Sequence, residues 1–226
     1  MPRVSDEYIE KKRREIIEAA MRVCARKPVA SVEMQDVIRE AGFSHGVIYR
    51  YYSDLDEVLR DLVITINSEH RIDDKIDEIL GNEAEDWEAK IRQICGMLAE
   101  QMKAVGVEIM KISLYCDTLA YSDPERALRI AEKLGDKMGD KGQSPLIPLV
   151  AKMSVFLDET IRNEGLTPMR TVSEMMQFML VTFQGIQTGY VMANCLETDQ
   201  ISGQYDPIVM FGCLADSLIA MIKGIR

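Results

Sequence analysis

Histidine, tryptophan and aromatic residues are scarce in this chain: 226 residues hold two histidines, one tryptophan and 6% aromatics. His45 and His70 stand far apart, no nucleophile motif or glycine-rich phosphate loop is present, and no Cys/His/carboxylate group has metal-ligand spacing. Catalysis, a cofactor and a metal are therefore not expected. Cysteines number five, an odd count. Cys24, Cys95, Cys116, Cys195 and Cys213 are scattered singly through apolar helical contexts, which reads as reduced thiols serving as small buried hydrophobes, with no disulfide framework or zinc site. No apolar run approaches the roughly 20 residues that span a bilayer. The N-terminus is charged and lacks a signal peptide's apolar stretch, so a cytoplasmic protein with no membrane partner is expected.

What is present is apolar residue in quantity, 47% of the chain, and a net charge of −10. The length allows one large domain or two modest ones. An acidic chain is at first sight a poor partner for nucleic acid, but the charge is unevenly spread. Residues 1–54 carry 10 Lys and Arg against 9 Asp and Glu, whereas the remainder carries 17 against 28. The acid lies in the body of the chain.

Residues 31–54 contain the organising pattern. Met34, Val37, Ile38 and Ala41 recur at helical spacing and give a first short helix one face to bury. Gly42 tolerates the left-handed conformation that closes a helix. Phe43 can plug the angle, and Ser44 can cap a second helix by accepting from a free backbone N–H. In that second helix Ile48 and Tyr52 are one turn apart and turn inward, leaving His45, Gly46, Val47, Tyr49 and Arg50 outward. These residues donate hydrogen bonds or can touch a thymine methyl, and Gly46 permits the close backbone approach of a helix entering the major groove. This is a helix-turn-helix pattern.

A long helix over 5–27 precedes it, with Ile9, Ile16, Ala20, Val23 and Cys24 on one side. The run Lys11, Lys12, Arg13 and Arg14 is either a solvated face or a set of phosphate-neutralising cations beside the reading helix. Asp54 and Glu57 have the spacing of a capping box for a helix from Leu55 to about Leu80. Further helices are expected near 84–105, 107–121, 124–140, 145–164, 171–198 and 206–225, bordered by Gly106, Ser122 to Pro124, Gly142 to Pro145, Gly165 to Pro168 and Ser202 to Pro207.

The segments Arg14-Glu-Ile-Ile-Glu-Ala-Ala20, Asp36-Val-Ile-Arg-Glu-Ala-Gly-Phe-Ser44 and Gly46-Val-Ile-Tyr-Arg-Tyr-Tyr52, followed by an acidic helix start and Val58-Leu59, resemble the N-terminal domain of TetR-family transcriptional regulators. The resemblance implies an all-α fold: a three-helix helix-turn-helix domain over 1–54 and a larger helical effector-binding and dimerisation domain over 55–226. It implies phosphate contacts from Tyr49, Tyr51 and the region of Ser44, and base or groove contacts from His45, Gly46, Val47 and Arg50, with Lys12 and Arg13 as candidate phosphate contacts alongside. The chain departs from the pattern at His45, where Lys or Arg is frequent, at Val47, where Thr, Ser or Ala is common, at Tyr51, where His is usual, and at Leu55, where a phosphate-binding Lys often sits.

Gly185, Gly189 and Ala193 form a stripe four residues apart. Glycine within a helix costs about 1 kcal/mol relative to alanine, so the stripe suggests a close helix crossing. The last helix is apolar around much of its circumference. Either feature can be core packing within one chain; the resemblance implies a homodimer through the last two helices, with Gly185, Gly189, Ala193, Phe211, Leu214 and Leu218 as candidates. A dimer suits palindromic double-stranded DNA, whose half-sites lie about 34 Å apart.

The body is rich in methionine, which adapts to varied apolar shapes. The resemblance implies an effector site among its helices, and Met97, Met110, Tyr115, Met153, Phe156, Met179 and Phe183 are candidate contacts for an unidentified, largely apolar small molecule. Glu108 and Asp117 could favour a cationic ligand, though Glu108 can instead pair with Lys111. The expected function is a sequence-specific DNA-binding regulator, most simply a repressor released by an effector. The alternative is a helical interaction protein of the same fold with weak or lost DNA reading, or no effector.

Overall fold

A computed structural model describes residues 5–135, 144, 146–195 and 205–225, and among them every regular element is helical. The ends expected for the helices over 124–140 and 171–198, and most of the borders at 142–145 and 202–207, lie outside the described residues.

The chain divides into two compact units, one built from Met1–Glu69 and Lys111–Gln143 and the other from His70–Met110 and Ser144–Arg226. In the first, α1 (Asp6–Arg26) is followed by a 3₁₀ turn (Val29–Ser31), α2 (Met34–Ala41), α3 (His45–Ile48) and α4 (Leu55–Glu69). α7 (Val107–Ser122) passes through the division, and α8 (Pro124–Gly135) completes this unit. α1 packs on α2 and α4, and α4 packs on α8. Ile16, Ala20, Val37, Ile38, Ile48, Val58, Leu59 and Leu62 are buried, as the helical spacing of apolar residues requires.

The second unit contains α5 (Asp73–Gly81), α6 (Trp87–Val105), α9 (Leu146–Asn163), α10 (Val172–Cys195) and α11 (Pro207–Lys223). α11 packs chiefly along α6, and α10 lies against α9 and α11. A single apolar cluster joins these helices and includes Met102, Met153, Met175, Met176 and Met179 fully buried, with Met97, Met110, Met210 and Met221 at its margin.

The structure corrects three expectations. The helix expected from Leu55 to about Leu80 is two helices, broken where Ile72 leaves helical geometry at φ −121°, ψ 1°. Ile72 buries its side chain there, and Asp73 and Asp74 open α5, where carboxylates complement the positive helix end. Phe211, Leu214 and Leu218, expected at a dimer contact, are core residues with at most 1% of their surface exposed. α11 is apolar nearly all round, and this stripe is the one turned inward; Ala193, 2% exposed, is likewise internal. Gly189 lies under the ring of Tyr205, where a methyl group would sit 2.5 Å from ring carbons, so its missing side chain makes room for an aromatic of the same protomer. Tyr205 is further fixed by donating to the Ile186 carbonyl at 2.8 Å. Cys24 and Cys95 are buried as expected, but Cys195 and Cys213 are exposed.

Candidate nucleic-acid interface

The helix-turn-helix is held by a small number of specific bonds. Glu33 caps α2 reciprocally with Asp36, whose carboxylate accepts from the Glu33 backbone N–H at 3.0 Å. Gly42 closes α2 at φ 69°, the conformation for which its lack of a side chain is needed. Ser44 stands at the start of α3 but makes no side-chain capping bond, so its hydroxyl, expected to cap, is not used that way. α3 is short and continues into a turn over 49–51. Ile48 and Tyr52 point inward, at 0% and 1% exposure, and anchor this segment.

Tyr52 donates its hydroxyl to Asp61 of α4 at 3.0 Å. Burial, with the Asp61 carboxylate beside it, pushes the phenol well above its ordinary range and keeps it a donor. Asp61 also receives Arg60 at 2.6 Å and Arg13 at 3.6 Å, and Arg13 reaches the Tyr51 carbonyl while lying over the Tyr52 ring. One carboxylate therefore ties α1, the end of the reading segment and α4 together. Glu57 caps the start of α4: its N–H donates to Asp54 at 2.9 Å, and its carboxylate accepts from the Ser53 N–H at 2.7 Å.

With the inner residues so fixed, His45, Gly46, Tyr49 and Arg50 are exposed and Val47 and Tyr51 are half-buried. The His45 and Tyr49 rings stack, with centroids 6.3 Å apart. The basic run on α1 divides by environment. Lys11 and Arg14 are exposed, whereas Lys12 pairs with Glu15 at 2.6 Å and lies 4.8 Å from the centre of the Phe43 ring. Arg13 is engaged by the Asp61 cluster, which displaces the expected phosphate role toward an internal one. Behind α2, Arg22 and Arg26 both grip Glu40 and Lys27 grips Asp36, holding those carboxyls below their usual range. Apart from the local Lys12–Glu15 pair, these tethers were not legible from spacing, because each joins residues of different elements.

The candidate effector residues fall in different settings. Met153 and Met179 are closed into the core of the second unit, Met97, Phe156 and Phe183 are half-buried at its margin, and Phe183 packs edge-on to Phe211 at 5.8 Å. Tyr115 belongs to the first unit, and its hydroxyl accepts from Arg126 at 3.1 Å. Gln187 is a polar residue of this region that helical spacing did not single out. It is 5% exposed inside an apolar wall and donates to the Met110 sulfur at 3.5 Å, a weak acceptor. The signal available was a lone amide on the buried stripe of α10. Glu108 is exposed and forms no ion pair with Lys111 among the described residues; Asp117 keeps an exposed edge, yet crowding pushes its carboxyl up. Among the described residues no helix is long and apolar enough to cross a membrane.

Gly185 is exposed with nothing near it, and it lies on α10 beside exposed Phe178, Val181 and Met192. On α11, Ile208 and Val209 are exposed, as are Gly212 and Cys213. These, not the expected inward-facing residues, form the outward apolar faces of the last two helices.

A buried-pin helix-turn-helix, with every other regular element among the described residues also helical, defines the class as a helix-turn-helix protein. Residues 16–62 match the model of the bacterial regulatory proteins of the tetR family. A 64-residue stretch, 28% of the chain, is 41% identical to the uncharacterized HTH-type transcriptional regulator YfiR of Bacillus subtilis (strain 168), spanning 31% of that protein's length. The fold is similar to the fatty acid degradation regulator FadR of Bacillus halodurans, with a TM-score of 0.63 and 22% identity over 92% of this chain and 94% of that one. It is equally similar to FadR of Bacillus subtilis, solved in complex with stearoyl-CoA, with a TM-score of 0.63 and 17% identity over 94% and 99% of the two chains. The helix-turn-helix segment, residues 16–62, is thus similar to that of the TetR family.

Proposed function

We propose that the protein is a sequence-specific DNA-binding transcriptional regulator, acting as a homodimeric repressor that an effector releases. The observation that carries this reading is the arrangement of residues 45–50: Ile48 is locked inward while His45, Gly46, Tyr49 and Arg50 are left to solvent. Residues 1–54 hold the reading head, and 55–226 serve effector binding and dimerisation. Arg50 and His45 read base edges, Val47 meets a thymine methyl, and Tyr49, Tyr51 and the Ser44 hydroxyl, unused in capping, meet phosphates. Among the cations of α1, Lys11 and Arg14 are placed best for phosphates; Lys12 contributes more weakly, from its pairing with Glu15.

Two heads are required to read a palindrome, and the exposed apolar residues of α10 and α11 favour pairing through Phe178, Val181, Gly185, Met192, Ile208 and Val209. The effector is a largely apolar small molecule held by the methionine-rich second unit, with Met97, Met110, Phe156 and Phe183 as adaptable contacts and Gln187 as its polar anchor. Long-chain acyl thioesters are the first class to test, since a FadR of this fold holds stearoyl-CoA.

The test is a gel-shift titration of the purified chain against the DNA upstream of its own coding region, at two salt concentrations and with unrelated competitor. A band that survives competitor and weakens with salt is the expected result. Absence of specific DNA from a random-sequence selection as well would overturn the reading in favour of a helical interaction protein.

A further inference from the structure

The head is short of available cations. Lys12 is held by Glu15, Arg13 and Arg60 by Asp61, Arg22 and Arg26 by Glu40, and Lys27 by Asp36. Among the described residues, Lys11, Arg14, Arg39 and Arg50 make no ion pair, and only Arg50 of these belongs to the reading segment. The other ionisable nitrogen base there is the exposed imidazole of His45, stacked on Tyr49. Its facing groups are few: the Tyr49 phenol lies beside it, Arg50 follows in the same segment, and among the described residues no carboxylate is within ion-pair range.

We infer that His45 is a proton-linked specificity residue, whose protonation on the DNA supplies the second cation of each reading segment. The inference rests on the DNA-binding reading proposed above and adds a regulation to it. An imidazole ordinarily titrates near pH 6.5, inside the physiological range. Neutral, it offers one donor and one acceptor; protonated, it offers two diverging donors, one for a guanine acceptor in the major groove and the other for a neighbouring phosphate. The phosphate field stabilises the protonated form, so binding takes up a proton. The sign follows from linkage. A pKa raised in the complex gives an affinity gain that is full below the free-protein value and lost as pH rises through the complex value. With one permanent cation in each reading segment, adding another is a large fractional change.

The test uses the full-length chain. A duplex is first selected from a random-sequence library at about pH 6 and then titrated by fluorescence anisotropy between about pH 6 and 8 at constant ionic strength. The wild-type affinity is expected to fall about tenfold per head for each unit of raised pKa, and the salt slope to be steeper at the acid end by about 0.9 per head. His45→Gln should be flat and weak, His45→Lys flat and tight, and His70→Gln should keep the wild-type profile. The last comparison is clean because the chain has only two histidines. A selected duplex bound independently of pH, or a profile that survives His45→Gln, overturns the inference while leaving DNA reading intact. Failure to enrich any duplex over a protein-free control overturns both.

Discussion

Arg126 of α8 donates through Nε to Oδ1 of Asp56, in the first turn of α4, at 2.8 Å. Its other arm reaches the Tyr115 hydroxyl at 3.1 Å, and Arg129 lies 3.7 Å from the second Asp56 oxygen. Asp56 and Arg126 are each less than a fifth exposed, so this pair is shielded in a way a surface ion pair is not. The helix that Asp56 opens carries Asp61 one turn later, where Tyr52 and Arg13 are fixed. α4 is thus pinned at two carboxylates, one to α8 and one to the reading head.

A double-mutant cycle of Arg126→Gln and Asp56→Asn should show a coupling of about 1.5–3 kcal/mol, the range for hydrogen bonds involving charged groups. Chemical denaturation of the four proteins measures it. Strictly additive effects would show that Arg129 or water replaces the bond at no cost.

Two glycines of α10 should respond oppositely to alanine. Gly189→Ala drives a methyl group into Tyr205 and should cost about 1–3 kcal/mol, as overpacking does. Gly185→Ala meets nothing within 4 Å in the protomer and should gain up to about 1 kcal/mol of helix stability there. If it instead weakens self-association in sedimentation experiments, Gly185 lies at a tight contact between copies.

Val181, 68% exposed, and Phe211, fully buried, separate assembly from folding. Val181→Asp should convert the proposed dimer to a monomer by light scattering while leaving helicity unchanged. Phe211→Ala should cost about 3–5 kcal/mol of stability through the cavity it leaves. A dimer that survives Val181→Asp at micromolar concentration would place the pairing surface elsewhere.

Acid should loosen the corner between α1 and α2. The Lys27 ammonium holds Asp36 below its ordinary 3.8, and the Arg22 and Arg26 guanidiniums hold Glu40 below 4.5. Because the folded values are depressed, this stabilisation is present above the unfolded values and is lost as pH falls through the folded ones. Thermal midpoints measured below about pH 4.5 should fall less steeply in Glu40→Gln than in wild type. Identical pH profiles would show that the two arginines do not act through Glu40.

The head was legible because its signals are local. The Val37 and Ile38 spacing, the Gly42 helix end and the inward Ile48 and Tyr52 all follow from residues within a few positions of one another. What spacing could not choose was orientation on helices apolar all round: α11 offers Phe211, Leu214 and Leu218 on one side and Ile208, Val209 and Gly212 on another, and only packing along α6 decides which is buried. The fate of the cations was also hidden. Arg13 and Tyr51 are 38 residues apart, so nothing in the run 11–14 distinguishes the half-buried Lys12 and Arg13 from the exposed Lys11 and Arg14. The break at Ile72 was masked because its apolar spacing continues across it.

The first compact unit draws on two separate stretches of chain, so its reading head is modular in sequence but not in construction. A cassette cut after Glu69 and grafted onto another body would leave behind α8, and with it the cover over α4 and the partner of Asp56. Transplantation would therefore have to carry the returning segment from Lys111 onward as well, threaded back through a new host. On the function proposed above, DNA specificity would be exchanged more economically by rewriting the few outward residues of 45–50 than by swapping the domain that holds them.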